Sequence, residues 1–371
     1  MMRRRGLFRR QADPVPEAAP EPVTTPPAAP PAGDIDHEKL RVLLSLLNDQ
    51  SQPNINRLTE ITRNLDMLTL SVKAMGYTLA RQLAAALPPA PSTGARPVGL
   101  TSKLSTQADI ESDWFAHWCS ELHLPLMYHR KMWEFAWMMQ VVHDHGLLRP
   151  GVRGLGFGCG TEPMPSYFAA QGMEVVMTDL PPEDARASDW ATNNEYAASL
   201  EQAHHAGLVD RESFLARVSR RHVDMNAIPA DLTGFDLVWS ICAFEHLGSI
   251  EQGLAFVENA MTCLKPGGLA IHTTEFNINP EGPTIDNWVT VLFQRRHIEA
   301  LAERLRAAGH DVAPIDFDAG DKPLDQFIDL PPWHDGTLGH VSRWLGQPAH
   351  LKVAIDGFAC TCIGLIIRKA T

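Results

Sequence analysis

Four glycines recur at every second position in the middle of the chain, at Gly154, Gly156, Gly158 and Gly160. A short apolar run ending in Asp179 follows them. Glycines allow a tight turn and leave the backbone amides bare, so that a ligand can approach them closely. A carboxylate at the tip of the next strand can accept hydrogen bonds from ribose hydroxyls. These residues therefore predict a site for a cofactor that carries a nucleoside.

The glycine spacing separates the cofactor classes. Dinucleotide-binding loops read G-x-G-x-x-G. Counting from each of the first three glycines, the sixth position is Cys159, Thr161 or Pro163. The spacing found is G-x-G-x-G, so an NAD-dependent reductase is disfavoured.

Strands and helices that position this loop alternate along the chain. A helix is predicted from about Pro165 to Gln171, and a strand over Glu174–Met177. Further strands are predicted to end over His222–Asn226 and to cover the following segments: Phe235–Ile241, Leu269–Thr274, Val312–Phe317 and Thr361–Ile367. A helix is expected near 296–308, and two helices near 108–122 and 126–146. This alternation predicts an α/β, doubly wound sheet that binds its ligands at the carboxyl ends of the strands.

In this order the motifs resemble class I (Rossmann-like) S-adenosylmethionine (SAM)-dependent methyltransferases. Motif I of that superfamily is close to D/E-x-G-x-G-x-G, and here Gly156 stands for the acid and Glu162 for the last glycine. The run Phe235-Asp-Leu-Val238, Glu245-His-Leu247 and Lys265-Pro-Gly-Gly268 resemble later motifs. The resemblance implies a seven-stranded, mostly parallel sheet. The Gly-Thr-Glu-Pro run also resembles bacterial methyltransferases of glycan-assembly gene clusters.

The resemblance implies S-adenosylmethionine as the cofactor and Glu162 as a carboxylate for its ammonium group. The residues expected to bind the cofactor are Gly156, Gly158, Gly160, Glu162, Asp179, Leu180, Asp224, Met225, Asn226 and Ser240. SAM carries an activated methyl group, so the protein must mainly align the acceptor. A hydroxyl acceptor benefits from a general base. His246 is the first candidate, because histidine titrates near neutrality, and Glu275 is the second. The alternative is that Glu245 and His246 stabilise their loop.

The acceptor is expected to contact the long stretch at about 318–352, since loops of this length are usually functional. Trp333 could stack on a sugar or another ring, and Asp329 or Asp335 could bind hydroxyls; a surface flap is the alternative. A divalent metal held by Asp329, His334 or Asp335 is disfavoured, and no metal is predicted. The six cysteines form no C-x-x-C pair, which argues against a zinc site and for a reducing, cytoplasmic location. His129 and Arg130 could reach the site from the preceding helices.

Composition limits the partners. The net charge is −12, although the first ten residues carry five arginines and no acid. The rest of the chain is therefore strongly acidic. This argues against nucleic-acid binding, because such binding depends on positive charges that neutralise phosphates. Residues 1–36 are predicted to be a disordered Arg/Pro-rich tail. This tail could contact an anionic membrane, but a solubilising role is favoured, and the sequence has no apolar run long enough for a transmembrane helix.

Residues 37–88 show a heptad pattern, with Leu58, Leu65, Val72 and Leu79 at positions a. Ile61, Leu68 and Met75 occupy positions d, and Pro53 interrupts the helix. We expect a coiled coil that makes the protein a homo-oligomer; a helical hairpin folded on the catalytic domain is the alternative. A linker is predicted over 89–106 and the methyltransferase domain over 107–371.

The sequence thus predicts a cytoplasmic SAM-dependent methyltransferase that methylates an oxygen of a glycan or glycolipid intermediate. A small metabolite is the alternative acceptor. A non-catalytic, methyltransferase-like scaffold assembled through the coiled coil is the competing class, because two motif I positions are altered.

Overall fold

The computed structural model describes residues 37–92, 94–184, 196–197, 199–331, 346 and 348–371. The tail at 1–36 and the candidate acceptor or metal residues Trp333, His334 and Asp335 lie outside these ranges. The chain divides into two compact units, Met1–Arg63 and Asn64–Thr371. No helix in the described part of the chain is long and apolar enough to span a bilayer.

The first unit contains helix α1, His37–Ser45, and the start of helix α2, Ile55–Ala84. The turn between the two helices is closed by Asn48, whose side chain accepts the N–H groups of Gln50 and Gln52. Asn54 then accepts the N–H of Arg57, which caps α2. The heptad segment is therefore two helices, with the interruption around Pro53 that the sequence predicted.

The second unit contains the rest of α2 and an α/β domain. Its further helices are α3 (Gln107–Ile110), α4 (Asp113–Glu121), α5 (Arg130–Asp144), α6 (Met164–Ala170), α7 (Arg211–Arg217), α8 (Ile250–Ala260) and α9 (Arg295–Ala307). Its longer strands are β3 (Arg153–Phe157), β4 (Glu174–Asp179), β5 (Val218–His222), β6 (Phe235–Ile241), β7 (Leu264–Asn277) and β13 (Phe358–Arg368). The short strands are β1 (Ser102–Leu104), β2 (Tyr128–His129), β8 (Asp311–Val312), β9 (Ile315–Asp316), β10 (Ile328–Asp329), β11 (Ala349–His350) and β12 (Lys352–Ile355).

The central sheet has the predicted α/β, doubly wound order. Strands β5, β4, β3, β6 and β7 lie side by side and parallel, and β13 pairs antiparallel with β7. The sheet counts eleven strands within the described residues rather than the predicted seven. The difference arises at the outer edge of β13, which is covered by the short strands β12, β1 and β8 instead of one long strand, with β10 pairing to β12 and β9 to β1.

Two boundaries differ from the sequence prediction. Strand β5 ends at His222, because Asp224 accepts the N–H of Asn226 and closes a turn where the strand was expected to continue. The predicted linker contains β1, which pairs with β13 through Lys103 and Leu104. Residues 102–104 are therefore part of the sheet.

The second half of α2 packs on the domain. Lys73 and Tyr77 are fully buried, and both bind the buried carboxylate of Asp329, at 2.7 Å from Lys73 Nζ and 2.9 Å from Tyr77 Oη. A Cβ on Gly76 would lie 2.2 Å from the ring of Phe327, so only glycine fits there. Part of the segment predicted to be a coiled coil thus belongs to the folded unit.

Candidate active site

The glycine loop leaves β3 at the carboxyl edge of the parallel strands. Gly158 and Gly160 have φ angles of +61° and +46°, which favour glycine. A Cβ on Gly158 would lie 2.8 Å from the Cβ of Ala243, which follows β6. The turn therefore needs glycine at position 158 both for its backbone conformation and for space.

The packing around Gly156 explains why motif I lacks its usual acidic residue at this position. A Cβ at this position would lie 2.3 Å from Cys159 Sγ and 2.4 Å from the ring of Trp239. Trp239 belongs to β6 and is fully buried. Its indole ring fills the space that a side chain at position 156 would need.

Glu162 follows the glycine loop, and its cofactor contact stays a prediction. Its Oε2 is buried and has no hydrogen-bond partner among the described residues. Burial raises the pKa of this carboxyl well above its usual range, while the nearby charge of Lys131 acts in the opposite direction. An unpaired buried acceptor of this kind suits an ammonium group, which would both satisfy it and favour its ionised form.

Asp179 ends β4 and links that strand to the glycine loop. Its Oδ2 accepts the N–H of Gly160 and its Oδ1 accepts the N–H of Leu180, both at 3.0 Å. Burial raises the pKa of Asp179, although these two amides favour the ionised form. The carboxylate thus lies at the carboxyl end of β4 beside the glycine loop, and its contact with a ribose stays a prediction.

The residues after β5 approach the same loop. Met225 is mostly buried, and its Sδ lies 3.8 Å from the position of a Cβ on Gly158. The side chain of Asn226 is exposed and donates to the carbonyl of Leu247 at 3.3 Å. Met225 is therefore brought beside the glycine loop, whereas Asp224 and Asn226 shape the turn around it.

Ser240 is not brought to the cleft, which corrects its predicted cofactor role. It is fully buried in β6, and its hydroxyl lies 2.8 Å from Nδ1 of His272 on β7. Burial lowers the pKa of His272 to about 3, so the imidazole is neutral. The pair belongs to the interior of the sheet.

His246 lies in a 3₁₀ turn, Phe244–His246, directly beyond the end of β6. Its Nδ1 is 3.1 Å from the carbonyl oxygen of Val289 and 3.1 Å from the hydroxyl of Thr290. Because a carbonyl can only accept, we assign the proton to Nδ1, which makes Nε2 the basic nitrogen. This tautomer is the one a general base needs.

The neighbouring Glu245 has a structural contact instead. It is fully buried, and its Oε2 accepts the hydroxyl of Thr274 at 3.0 Å. Burial raises the pKa of Glu245. This residue ties the 3₁₀ turn to β7, as the loop-stabilising interpretation expected.

Glu275, the second candidate base, forms an ion pair. Its Oε1 lies 2.5 Å from Nη1 of Arg130, the first residue of α5. This ion pair occupies the carboxylate that was the second candidate base. Arg130 is thereby placed at the carboxyl edge of β7.

Sequence reasoning missed Glu134, which follows Arg130 by four positions on α5. Glu134 is fully buried, and the hydroxyl of Thr273 donates to its Oε2 at 2.5 Å. Residues 130, 134 and 137 share one helix face, and Trp137 on that face packs against Gly364 of β13. The spacing of Arg130 and Glu134, one turn apart on a helix rich in apolar residues, was the signal that could have identified Glu134.

With this geometry in place, the chain can be compared with known proteins. A family model described as a methyltransferase domain matches residues 100–314, more than half of the chain. The chain belongs to the methyltransferase-domain family. It is a SAM-dependent methyltransferase by this membership, and its cofactor is S-adenosylmethionine. No curated protein matches the sequence.

Solved structures are similar to this chain only at a distance. Phosphoethanolamine N-methyltransferase 2 of Haemonchus contortus is 16% identical, with 63% of this chain and 52% of that chain covered and a TM-score of 0.39. Magnesium protoporphyrin IX methyltransferase of Synechocystis PCC 6803 is 11% identical, covering 63% and 81%, with a TM-score of 0.37. The [4+2]-cyclase SpnF is 17% identical, covering 77% and 99%, with a TM-score of 0.39. Likenesses this distant say nothing about the acceptor.

The residues present fit the cofactor of this family. The glycine loop carries no side chain at Gly158 or Gly160, and the carboxylate of Asp179 and the apolar side chain of Met225 lie beside it. Glu162 offers an ammonium group a carboxylate oxygen that has no hydrogen-bond partner among the described residues. Gly156 leaves space for Trp239, and its cofactor contact stays a prediction. The altered positions of motif I are therefore compatible with SAM binding.

Proposed function

We propose that the protein transfers the methyl group of SAM to an oxygen of a glycan or glycolipid intermediate. The observation that supports this choice is the buried, charged surface beside the glycine loop, formed by Arg130, Glu134 and Glu275. Among the described residues, Arg130 Nε and Glu134 Oε1 are buried and have no hydrogen-bond partner, so a polar acceptor can satisfy them whereas an apolar acceptor cannot. A small polar metabolite is the second candidate.

Bound SAM supplies a methyl group that its sulfonium has already activated. The chain then has to orient the acceptor hydroxyl and remove its proton. His246 is proposed as the base, acting through Nε2, since the Val289 carbonyl holds the other nitrogen. Arg130 and Glu275 are proposed to orient the acceptor.

Labelled SAM provides the test. The purified protein is incubated with labelled SAM and either a lipid-linked glycan fraction or a small-metabolite fraction. We expect the label in the glycan fraction, as an ether that survives mild alkali. Label in small metabolites alone would replace the glycan assignment with the second candidate. Normal cofactor binding with no transfer to either fraction would favour the scaffold interpretation.

The His246→Ala variant tests the base. We expect the rate of transfer to fall by about 10²- to 10⁴-fold with unchanged cofactor affinity. His145→Ala is the matched control, because His145 is exposed at the far end of α5. Full turnover by His246→Ala would exclude the base role.

We also propose that the protein self-associates through the a/d positions of α2. The residues of α2 that pack on the domain include Lys73, Gly76 and Tyr77, at heptad positions b, e and f, and also Leu79, the last residue at position a, so the open stripe ends before Leu79. Position d residues Leu68 and Met75 are instead 60% and 74% exposed. An apolar stripe that intrachain packing leaves open suits a second copy of the helix.

Charge substitution tests this interface by light scattering. Leu68→Glu combined with Met75→Glu should lower the oligomer number, because both residues lie on the proposed seam. Met67→Glu should leave the oligomer number unchanged, since Met67 is equally exposed (58%) but occupies position c. Identical masses for the wild type and the seam variant would refute the interface.

A further inference from the structure

Three potential metal ligands meet beside the glycine loop, on elements that are far apart in the sequence. They are Glu134 on α5, Cys242 immediately after β6 and Cys362 on β13, and one donor atom from each lies within 4.8 Å of the others. The two sulfur atoms are 3.7 Å apart. Thr273 orients the carboxylate by donating to Glu134 Oε2.

The carboxylate of Glu134 points to a ligand. Glu134 is fully buried, yet its Oε1 has no hydrogen-bond partner in the part of the chain that the structure describes. Lys131 Nζ lies 3.8 Å from this oxygen, too far for a hydrogen bond. A buried carboxylate oxygen without a hydrogen bond is costly unless a ligand satisfies it.

We propose that Glu134, Cys242 and Cys362 bind a divalent metal ion of the zinc type. Zinc prefers tetrahedral sites with Zn–S bonds of about 2.3 Å, and two thiolates on such an ion lie about 3.8 Å apart. The observed separation of 3.7 Å already matches this value. The carboxylate would need to approach each sulfur to about 3.5 Å, a movement of roughly 1 Å.

Two positively charged side chains lie near the three ligands, but they do not prevent the binding of a metal cation. Arg130 Nη1 lies 3.6 Å from Cys362 Sγ, and Lys131 lies near Glu134. Thiols lose their protons when they bind zinc, so two protons leave as the dication enters. The cluster carries a charge of −1 before binding, from Glu134 alone, and −1 afterwards, from two thiolates, one carboxylate and the metal. Arg130 can also donate to the Cys362 thiolate.

Three protein ligands leave the fourth position of a tetrahedral ion open, as in catalytic zinc sites. Cys242 directly precedes Ala243, whose Cβ contacts the glycine loop at Gly158. An acceptor hydroxyl bound to the metal would be acidified close to the cofactor. This last step rests on the proposed function, whereas the metal site itself does not.

Cobalt(II) titration of the reduced, chelator-treated full-length protein tests the site, because Co²⁺ reports its ligands by absorbance. We expect a near-ultraviolet thiolate charge-transfer band and tetrahedral visible bands that saturate at one equivalent and disappear on addition of Zn²⁺. Absence of the thiolate band in the wild-type titration overturns the proposal.

Variants identify the ligands. Loss of a residue that only contacts a metal ligand typically lowers metal affinity 10- to 100-fold. Loss of a ligand itself should matter at least as much, so Cys242→Ser and Cys362→Ser should each lower the affinity for Co²⁺ at least about tenfold. Cys119→Ser is the matched control, because Cys119 is as buried as Cys362 but lies on α4, and this variant should leave the Co²⁺ affinity unchanged. A band that survives the Cys242→Ser, Cys362→Ser double variant overturns the proposal.

Two further measurements keep the outcomes separate. Glu134→Gln preserves the shape of the side chain and should weaken Co²⁺ binding while retaining the thiolate band, which covers the case in which a serine variant fails to fold. S-adenosylhomocysteine titration of the same samples reports the cofactor site. Loss of cofactor binding with an intact cobalt spectrum would refute the proposed function alone.

Discussion

Gly156→Ala tests the structural reason for the missing acid of motif I. The new methyl group would lie 2.3 Å from Cys159 Sγ and 2.4 Å from the Trp239 ring, so atoms must move by about 1 Å to reach ordinary contact distances. The cysteine side chain can rotate, but Trp239 is fully buried. Overpacking of this kind typically costs 1–3 kcal/mol. We therefore expect the free energy of unfolding to fall by about 2 kcal/mol.

Gly154→Ala is the matched control. Gly154 lies on the same strand and faces the same tryptophan, but its Cβ would be 3.0 Å from the ring. Alanine also reduces the entropy of the unfolded chain, which stabilises by about 0.4–1 kcal/mol and offsets a mild contact. This control should change stability by less than about 1 kcal/mol.

Urea unfolding followed by circular dichroism measures both variants, since a change in midpoint at constant slope reports stability. In a Trp239→Leu background, the cost of Gly156→Ala should fall by more than about 0.5 kcal/mol, because the two positions are in contact. Equal stabilities of the Gly156→Ala and Gly154→Ala variants would refute this explanation of the altered motif.

Three other perturbations have defined outcomes. Burial raises the pKa of Glu162, so the contribution of this carboxyl to stability is present below the usual pKa of a free glutamate and is lost as pH rises through the raised value. In thermal melts above neutral pH without cofactor, Glu162→Gln should therefore be more stable than wild type. The same variant should bind S-adenosylhomocysteine about 10- to 100-fold more weakly. Lys73→Met should lower the free energy of unfolding in urea by about 3–5 kcal/mol, because it removes the cation that pairs with the buried Asp329. Arg57→Met, which breaks an exposed ion pair, should lower it by less than about 1 kcal/mol. The pKa of His272 falls from 6.5 to about 3 on folding, so the free energy of unfolding should decrease as pH drops through this window. The decrease should be smaller in His272→Gln. If the free energy of unfolding depends on pH as steeply in that variant as in wild type, the assignment of a neutral, buried imidazole is contradicted.

The features that sequence predicted are those set by local residues. The glycine loop, Asp179 at the end of β4 and the bounds of β6 follow from glycine spacing, alternating strands and their flanking residues. Residues 361–367 likewise form part of β13. Each of these signals lies within a dozen residues.

The features that sequence missed depend on contacts between distant elements. The short strands at the edge of β13 contain only two to four residues, too few to show a periodic pattern. Only the register of β3 and β6 reveals that Trp239 occupies the space at Gly156. Likewise, Glu134, Cys242 and Cys362 come from three elements, so no spacing rule such as C-x-x-C could connect them.

Calorimetric titration with S-adenosylhomocysteine tests the central claim most directly, namely that the cofactor binds against the glycine loop and Asp179. Wild-type protein should bind, and Asp179→Ala should lose at least about tenfold in affinity, because a charged hydrogen bond contributes roughly 1.5–3 kcal/mol. Glu212→Ala, which removes an exposed acid on α7, should bind like wild type. No binding by the wild type, or equal affinities for wild type and Asp179→Ala, would contradict the account.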